Sequence, residues 1–228
     1  MPRGLREPAG AADHRALNPL TASLAESLRD DAPDSLLDVF VRRVDDMYLA
    51  QPRDWEALRE DEAIAGRGVP YWAALWPSGR ALARAVAEGP PLEGRRVLEL
   101  GCGLGLPSVA AARRGAVVVA SDVSDDAAVY AAHNLALNEL TGEVLVAGWS
   151  ELADRGPWDL VLAADVLYLA ANVESLLRAL PRLVADDGEA WIADPDRHGG
   201  GDFLAAARKQ FSLRSERFDG GGIHRLAR

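Results

Sequence analysis

From residue 70 onward, short runs rich in valine and leucine alternate with alanine-rich stretches of helical length. The runs are 95–100 (RRVLEL), 116–121 (AVVVAS), 143–147 (EVLVA), 159–164 (DLVLAA) and 189–193 (EAWIA). Between them, 79–88, 106–114, 125–137 and 172–185 read as helices. A strand covered by helices on both faces has no wet side, so its sequence is continuously apolar rather than alternating. The pattern therefore predicts an α/β fold built on a mostly parallel sheet. The tail offers a helix near 202–210, then FSLRSERF and GGIHRLAR around a glycine cluster, which reads as two antiparallel strands.

The N-terminal part differs. Residues 1–19 hold proline, glycine and alanine without hydrophobic period and read as a loose arm. Leu36, Leu37, Phe40, Val41, Val44, Met47 and Tyr48 recur at helical spacing, with Asp34 or Ser35 as cap, which predicts a helix over 35–49. A second short helix is expected over 54–63. Residues 26–62 carry twelve acids against five arginines, read as a solvated helical face. The division is thus an arm with N-terminal helices, 1–68, and an α/β domain, 69–228, with no further domain.

Composition narrows the function classes. A formal net charge of −10 argues against a nucleic-acid partner. No apolar run approaches the ~18 residues of a membrane helix, and the opening MPRGLREPAG lacks a signal-peptide core. A cytoplasmic protein without membrane contact is expected. One cysteine, Cys102, allows no internal disulfide, and the four histidines have no metal-ligand spacing, so no metal is expected.

The sharpest motif is VLELGCGLGLPSVAAARRGA, 97–116. A strand ends at Glu99-Leu100, then Gly101, Gly103 and Gly105 alternate, and a helix follows with Pro107 in its first turn, where a missing N–H is harmless. Such glycines permit positive φ and close backbone approach to a ligand. The dinucleotide fingerprint wants glycine at the sixth place, which here is Leu106, so the fit to NAD is poor. Asp122 ends the next strand, where an acid can accept both ribose hydroxyls of a nucleoside; the alternative is a cap for the helix near Asp125. Gly148-Trp149 ends the third strand, and the indole can stack on adenine or simply pack. Asp165 follows the apolar run 160–164 and emerges at the crevice edge, with the next helix expected near Asn172. Upstream, Tyr71, Trp72 and Trp76 precede Pro77-Ser78-Gly79, with Ser78 a candidate cap.

The G-x-G-x-G spacing with the preceding acid Glu99 resembles motif I of the class I, seven-stranded S-adenosylmethionine (SAM) methyltransferases. The segment 69–197 is similar to the methyltransferase-like protein lysine methyltransferases, in particular the electron-transfer-flavoprotein β-subunit subgroup. The matching elements are Trp76-Pro77-Ser78-Gly79, Asp165 with Tyr168, Asn134 and Asn138 of NLALN, and Ala193-Asp194-Pro195-Asp196-Arg197, where both glycines of the family's Gly-Asp-Pro-Gly-Arg are replaced. The Asn/Asp-Pro-Pro-aromatic signature of nucleobase amino methylation is absent. The resemblance implies a Rossmann-like, doubly wound seven-stranded sheet with an antiparallel C-terminal strand. It also implies SAM as methyl donor, S-adenosylhomocysteine as product, and a protein lysine as acceptor. Trp76, Glu99, Gly101, Gly103, Gly105, Asp122, Trp149 and Asp165 would line the cofactor site, Asp165 would also orient or relay a proton from the amine, and Tyr168 would line the lysine channel. Three other readings stay open: a small-molecule amine N-methyltransferase, an NAD(P)-dependent oxidoreductase (disfavoured by Leu106 and by Lys209 being the only lysine), and a non-catalytic SAM-binding partner protein.

Overall fold

A computed structural model describes residues 23–228, so the expected arm over 1–19 lies outside the described residues. A one-turn helix α1 (Asp34–Leu37) leads into an antiparallel hairpin, β1 (Val39–Val44) and β2 (Met47–Pro52), followed by α2 (Trp55–Ile64). Then come a 3-10 turn at Tyr71–Ala73, α3 (Pro77–Glu88), β3 (Arg96–Leu100), α4 (Leu106–Arg113), β4 (Val117–Asp122), α5 (Asp125–Leu137) and β5 (Glu143–Val146). The chain continues through α6 (Trp149–Leu152), β6 (Trp158–Ala164), α7 (Ala170–Leu183), β7 (Val184–Asp194), α8 (His198–Ala207), β8 (Ser212–Phe218) and β9 (Gly221–Ala227).

Seven strands form one sheet in the order β5-β4-β3-β6-β7-β9-β8. The first five run parallel, and β9 is antiparallel to both β7 and β8. The strand order reverses between the neighbours β3 and β6, so the loops that follow them diverge and leave a crevice at the sheet's carboxyl edge. Core strands are buried as the apolar runs predict: Val97, Leu98, Leu100, Val161, Leu162 and Ala163 are all inaccessible.

Of the helix expected over 35–49 only the first turn forms, as α1, and the rest is the β1–β2 hairpin. The same apolar residues satisfy a period of two: Val44, Met47 and Leu49 are buried while Tyr48 is exposed. Val44 pairs with Met47, so Asp45-Asp46 makes a two-residue turn, and Asp45 takes φ +53°. Aspartate tolerates that region, and two-residue hairpins require it. The hairpin docks on α5 through two asparagines one helical turn apart. Asn134 accepts from Ala50 N (2.7 Å) and donates to Ala50 O (3.1 Å), while Asn138 accepts from Tyr48 N (2.9 Å) and donates to Tyr48 O (2.7 Å). Four helical residues rise about 6 Å and two strand residues about 6.6 Å, so the spacings match and the side-chain amides continue the ladder.

The acidic N-terminal segment is not a solvated helical face throughout. Glu62 is buried and paired to Arg29 and Arg67, and Arg29 also reaches Asp126 in the first turn of α5. Leu24, Leu36, Met47, Leu49 and Leu58 share one apolar cluster with Leu82, Leu106, Tyr130 and Leu135. Four local expectations also change. Ser78 does not cap α3: Trp76 holds the N-cap position, and the buried Ser78 hydroxyl has no hydrogen-bond partner among the described residues. Ser124, not Asp122, caps α5 through Ala127 N (3.3 Å). The helix after Asp165 starts at Ala170 rather than near Asn172. Gly148-Trp149 lies beyond β5 and opens α6, because Glu151 turns back to accept from Gly148 N (2.9 Å).

Candidate active site

Two carboxylates organise the loop after β3. Glu99, 2% exposed, points beneath it and accepts from both Ser108 N (2.8 Å) and Ser108 Oγ. Burial pushes its carboxyl up to about 8, against the lowering pull of those bonds. Expected as a cofactor ligand, Glu99 is turned into the protein instead and fixes the start of α4. Asp122 works from the opposite side. Its Oδ2 accepts from Gly103 N (2.9 Å) and its Oδ1 from Ser124 N (3.1 Å). Burial raises its pKa, and these backbone bonds oppose the rise.

Gly103 has φ +50°, and a Cβ there would lie 3.0 Å from the carbonyl oxygen of Trp72. The 3-10 turn is therefore seated on the glycine loop. Gly105 N-caps α4 at φ +73°, where a Cβ would lie 3.0 Å from Ala131 Cβ. A Cβ on Gly101 would lie 3.1 Å from Val166, which joins this loop to the one after β6.

The aromatics divide by direction. Trp72 turns inward onto Tyr130 (ring centroids 5.2 Å apart). Tyr71 turns outward, 5.9 Å from Tyr168 and 6.4 Å from Trp76, whose indole N–H donates to Tyr71 O (2.8 Å). Tyr71 is 50% and Tyr168 48% exposed, so the rings rim an open mouth. Trp149 is half-buried against the cluster containing Leu152 and Ala153, two residues past Ala147, whose N–H donates to Asp122 O (2.9 Å).

Asp165 follows β6, three residues before Tyr168, with φ +61°, and its N–H donates to Ala193 O on the neighbouring strand (2.9 Å). Only 8% of its side chain is exposed. Arg197 reaches it with Nε (2.8 Å) and Nη2, both on Oδ1, and its guanidinium sits 5.9 Å from the Tyr168 ring centre. Asp194, 1% exposed, accepts from Arg197 N (2.7 Å), and burial raises its pKa. The structure thus gathers Gly101, Gly103, Gly105, Asp122, Trp76, Asp165 and Tyr168 along one edge of the sheet. Sequence reasoning missed Arg197 as a site residue. It was visible only as part of the 193–197 segment, and its partner lies 32 positions away.

Asp122 accepts only backbone N–H groups, from Gly103, Ser124 and Val123, so its carboxylate keeps acceptor capacity for a ribose hydroxyl, and Gly101 and Gly103 are partly exposed beside it, so the residues fit an adenosine group. A strand–glycine-loop–helix turn with this acid, on this seven-stranded sheet, is the frame of the class I SAM-dependent methyltransferases. A ribosomal protein methylase from Lactobacillus delbrueckii subsp. bulgaricus superposes with TM-score 0.59 at 25% identity, over 68% of this chain and 80% of that one. A 16S rRNA methyltransferase of T. Thermophilus, solved with AdoMet and guanosine, gives TM-score 0.63 at 16% identity over 83% and 50%, a likeness of fold. The chain belongs to the lysine methyltransferase family, which matches residues 60–210. It is 38% identical over 131 residues to the electron transfer flavoprotein beta subunit lysine methyltransferase of Danio rerio, covering 56% of this chain and 51% of that protein. It is 31% identical over 157 residues to the protein N-lysine methyltransferase METTL21A of Danio rerio, covering 64% and 72%. The chain spans about half the length of the flavoprotein-directed relative.

Proposed function

We propose that this protein transfers a methyl group from SAM to the side-chain amine of a lysine carried by another protein. The observation that carries this reading is the linkage of the largely buried Asp165, through Arg197, to the exposed ring of Tyr168, which in turn lies 5.9 Å from Tyr71. An open aromatic rim near a buried carboxylate suits a long lysine side chain presented on a protein surface, because the rings pack against its methylene stem and the carboxylate can accept an N–H of its amine.

SAM, when bound, supplies an electrophilic methyl on a positively charged sulfur. To take that methyl, the acceptor nitrogen would have to present a lone pair to it. An ammonium has no such pair, and from a reference pKa near 10.4 its deprotonation costs about 4–5 kcal/mol at pH 7. The protein's part is positioning. Asp122 and the glycine loop hold the nucleoside, Trp149 offers a face for the adenine, and Asp165 accepts an N–H of the amine to fix its direction. Tyr168 and Tyr71 enclose the stem of the lysine, and the proton of its amine passes to solvent between these half-exposed rings.

The names of the relatives support a protein acceptor, and the electron transfer flavoprotein β subunit is the first candidate. The test is incubation with methyl-labelled SAM and host lysate, with and without protease digestion of the products. Label in a discrete protein band supports the proposal. Label confined to the low-mass fraction would transfer the activity to a metabolite amine, and SAM binding without any labelling would mark a non-catalytic SAM-binding protein.

A further inference from the structure

Nucleoside binding has no use for Arg197, and its side chain makes no ion pair other than that with Asp165 among the described residues. Its two N–H groups converge on one oxygen, Oδ1, so Oδ2 receives no hydrogen bond from any described residue. We infer that Arg197 is a positioning residue that cancels the charge of Asp165 while leaving Oδ2 open to the acceptor, so that the lysine is held as a neutral amine. This deepens the methyltransferase reading and rests on it.

The argument is electrostatic. A lone carboxylate beside an amine favours the ammonium, because opposite charges within ~4–6 Å stabilise the charged form. That would strengthen binding of the unreactive species and keep the proton on the nucleophile. A carboxylate paired to a guanidinium keeps its lone pairs and its direction but presents little net field. The other groups facing this point do not restore the charge balance in another way. Asp194, which accepts the backbone N–H of Arg197, is a second buried carboxylate close to both Asp165 and Arg197, and burial together with the Asp165 charge raises its pKa toward the neutral form, while Asp196 in the same loop is taken by Arg217 of β8. Tyr168 and Tyr71 contribute neutral rings, and Gly101 and Val166 face the loop from β3 and β6 without charge. Glu99 and Asp122 are engaged by Ser108, and by Gly103 and Ser124. Arg197 is thus the counter-charge at the acceptor position.

The experiment compares the parent, R197Q and R197K, with folding checked by thermal unfolding. In one arm, single-turnover methylation of purified electron transfer flavoprotein β subunit is followed across pH. R197Q should lose about tenfold at pH 7, with the rising limb of its profile displaced about one pH unit to the alkaline side. R197K should keep the parent's limb, whatever its maximal rate. In the other arm, n-butylammonium binding is measured by calorimetry, which needs no turnover. R197Q should bind this cation about tenfold more tightly, since the carboxylate is no longer neutralised. An unshifted limb in R197Q with parent-like butylammonium affinity would reduce Arg197 to a structural role. Faster transfer by R197Q at neutral pH would make it a plug; either result overturns the inference while the methyltransferase reading stands. A parent that binds SAM and labels no protein would overturn that reading instead, and the calorimetric arm would still decide the charge state at Asp165.

Discussion

Asn134 of α5 holds both the N–H and the C=O of Ala50 in β2, and its amide also donates to Leu104 O (2.9 Å) in the glycine loop. One buried side chain therefore ties the N-terminal hairpin, the helix after β4 and the cofactor loop together. Asn134→Ala strands three buried backbone groups, each costing about 1–3 kcal/mol. Denaturant unfolding should show a loss of at least about 2 kcal/mol. Asn138→Ala, in the exposed pair with Tyr48, should cost about 1 kcal/mol or less. Equal losses would mean that the two asparagines do not differ as their burial indicates.

Glu99 gives a pH signature. Its carboxyl titrates near 8 in the folded protein, raised from an ordinary glutamate. Between the usual carboxylate range and about pH 8, the folded state keeps a proton that the unfolded chain has released. Stability therefore falls as pH rises through that window, and the full cost is reached above it. That cost is about 3–5 kcal/mol, since each tenfold difference in proton affinity between the folded and unfolded states is worth about 1.4 kcal/mol. Glu99→Gln keeps an acceptor for Ser108 without the titration. Thermal unfolding from pH 5 to 9 should show a flatter profile for the variant; parallel profiles would place the titration elsewhere.

Asp122 is predicted to govern SAM affinity. Asp122→Ala removes the candidate ribose acceptor and releases the amides of Gly103 and Ser124. Calorimetry should show SAM weakened by about 1.5–3 kcal/mol, the range for hydrogen bonds to charged groups. Trp149→Ala should cost about 1–3 kcal/mol through lost stacking. If both folded variants bind SAM like the parent, the adenosine lies elsewhere.

Much of this site was legible because its signals are local. Gly101, Gly103 and Gly105 follow an apolar strand and precede a helix within one continuous segment, and Asp122 and Asp165 each end such a strand. The hairpin was not legible. Leu36, Phe40, Val44 and Met47 fit a helix as well as paired strands, and the deciding partner, Asn134, is 84 residues from Ala50. Ser78 obeyed the local rule for a cap, yet tertiary packing buried it and gave Trp76 that position. The orientation of Glu99 depended on Ser108 coming back beneath the strand, and the pairing of Asp165 with Arg197 on the adjacency of β6 and β7.

Binding and chemistry should separate at Asp165. Asp165→Asn keeps the shape but replaces the carboxylate that directs the amine, so turnover should fall by about 10² while SAM affinity changes little. Tyr168→Phe should be mild if only the ring encloses the lysine stem. Single-turnover rates beside SAM titrations check both. Parallel loss of affinity and rate in Asp165→Asn would make it a cofactor ligand.

The most direct measurement is peptide mass spectrometry of electron transfer flavoprotein β subunit after incubation with the protein and methyl-labelled SAM. Mass increments of one or more methyl groups should map to a lysine Nζ, appear with the parent, and be strongly reduced with Asp165→Asn. Label on any other atom, or an unmodified flavoprotein and unlabelled lysate proteins from an enzyme that binds SAM, would contradict protein lysine methylation.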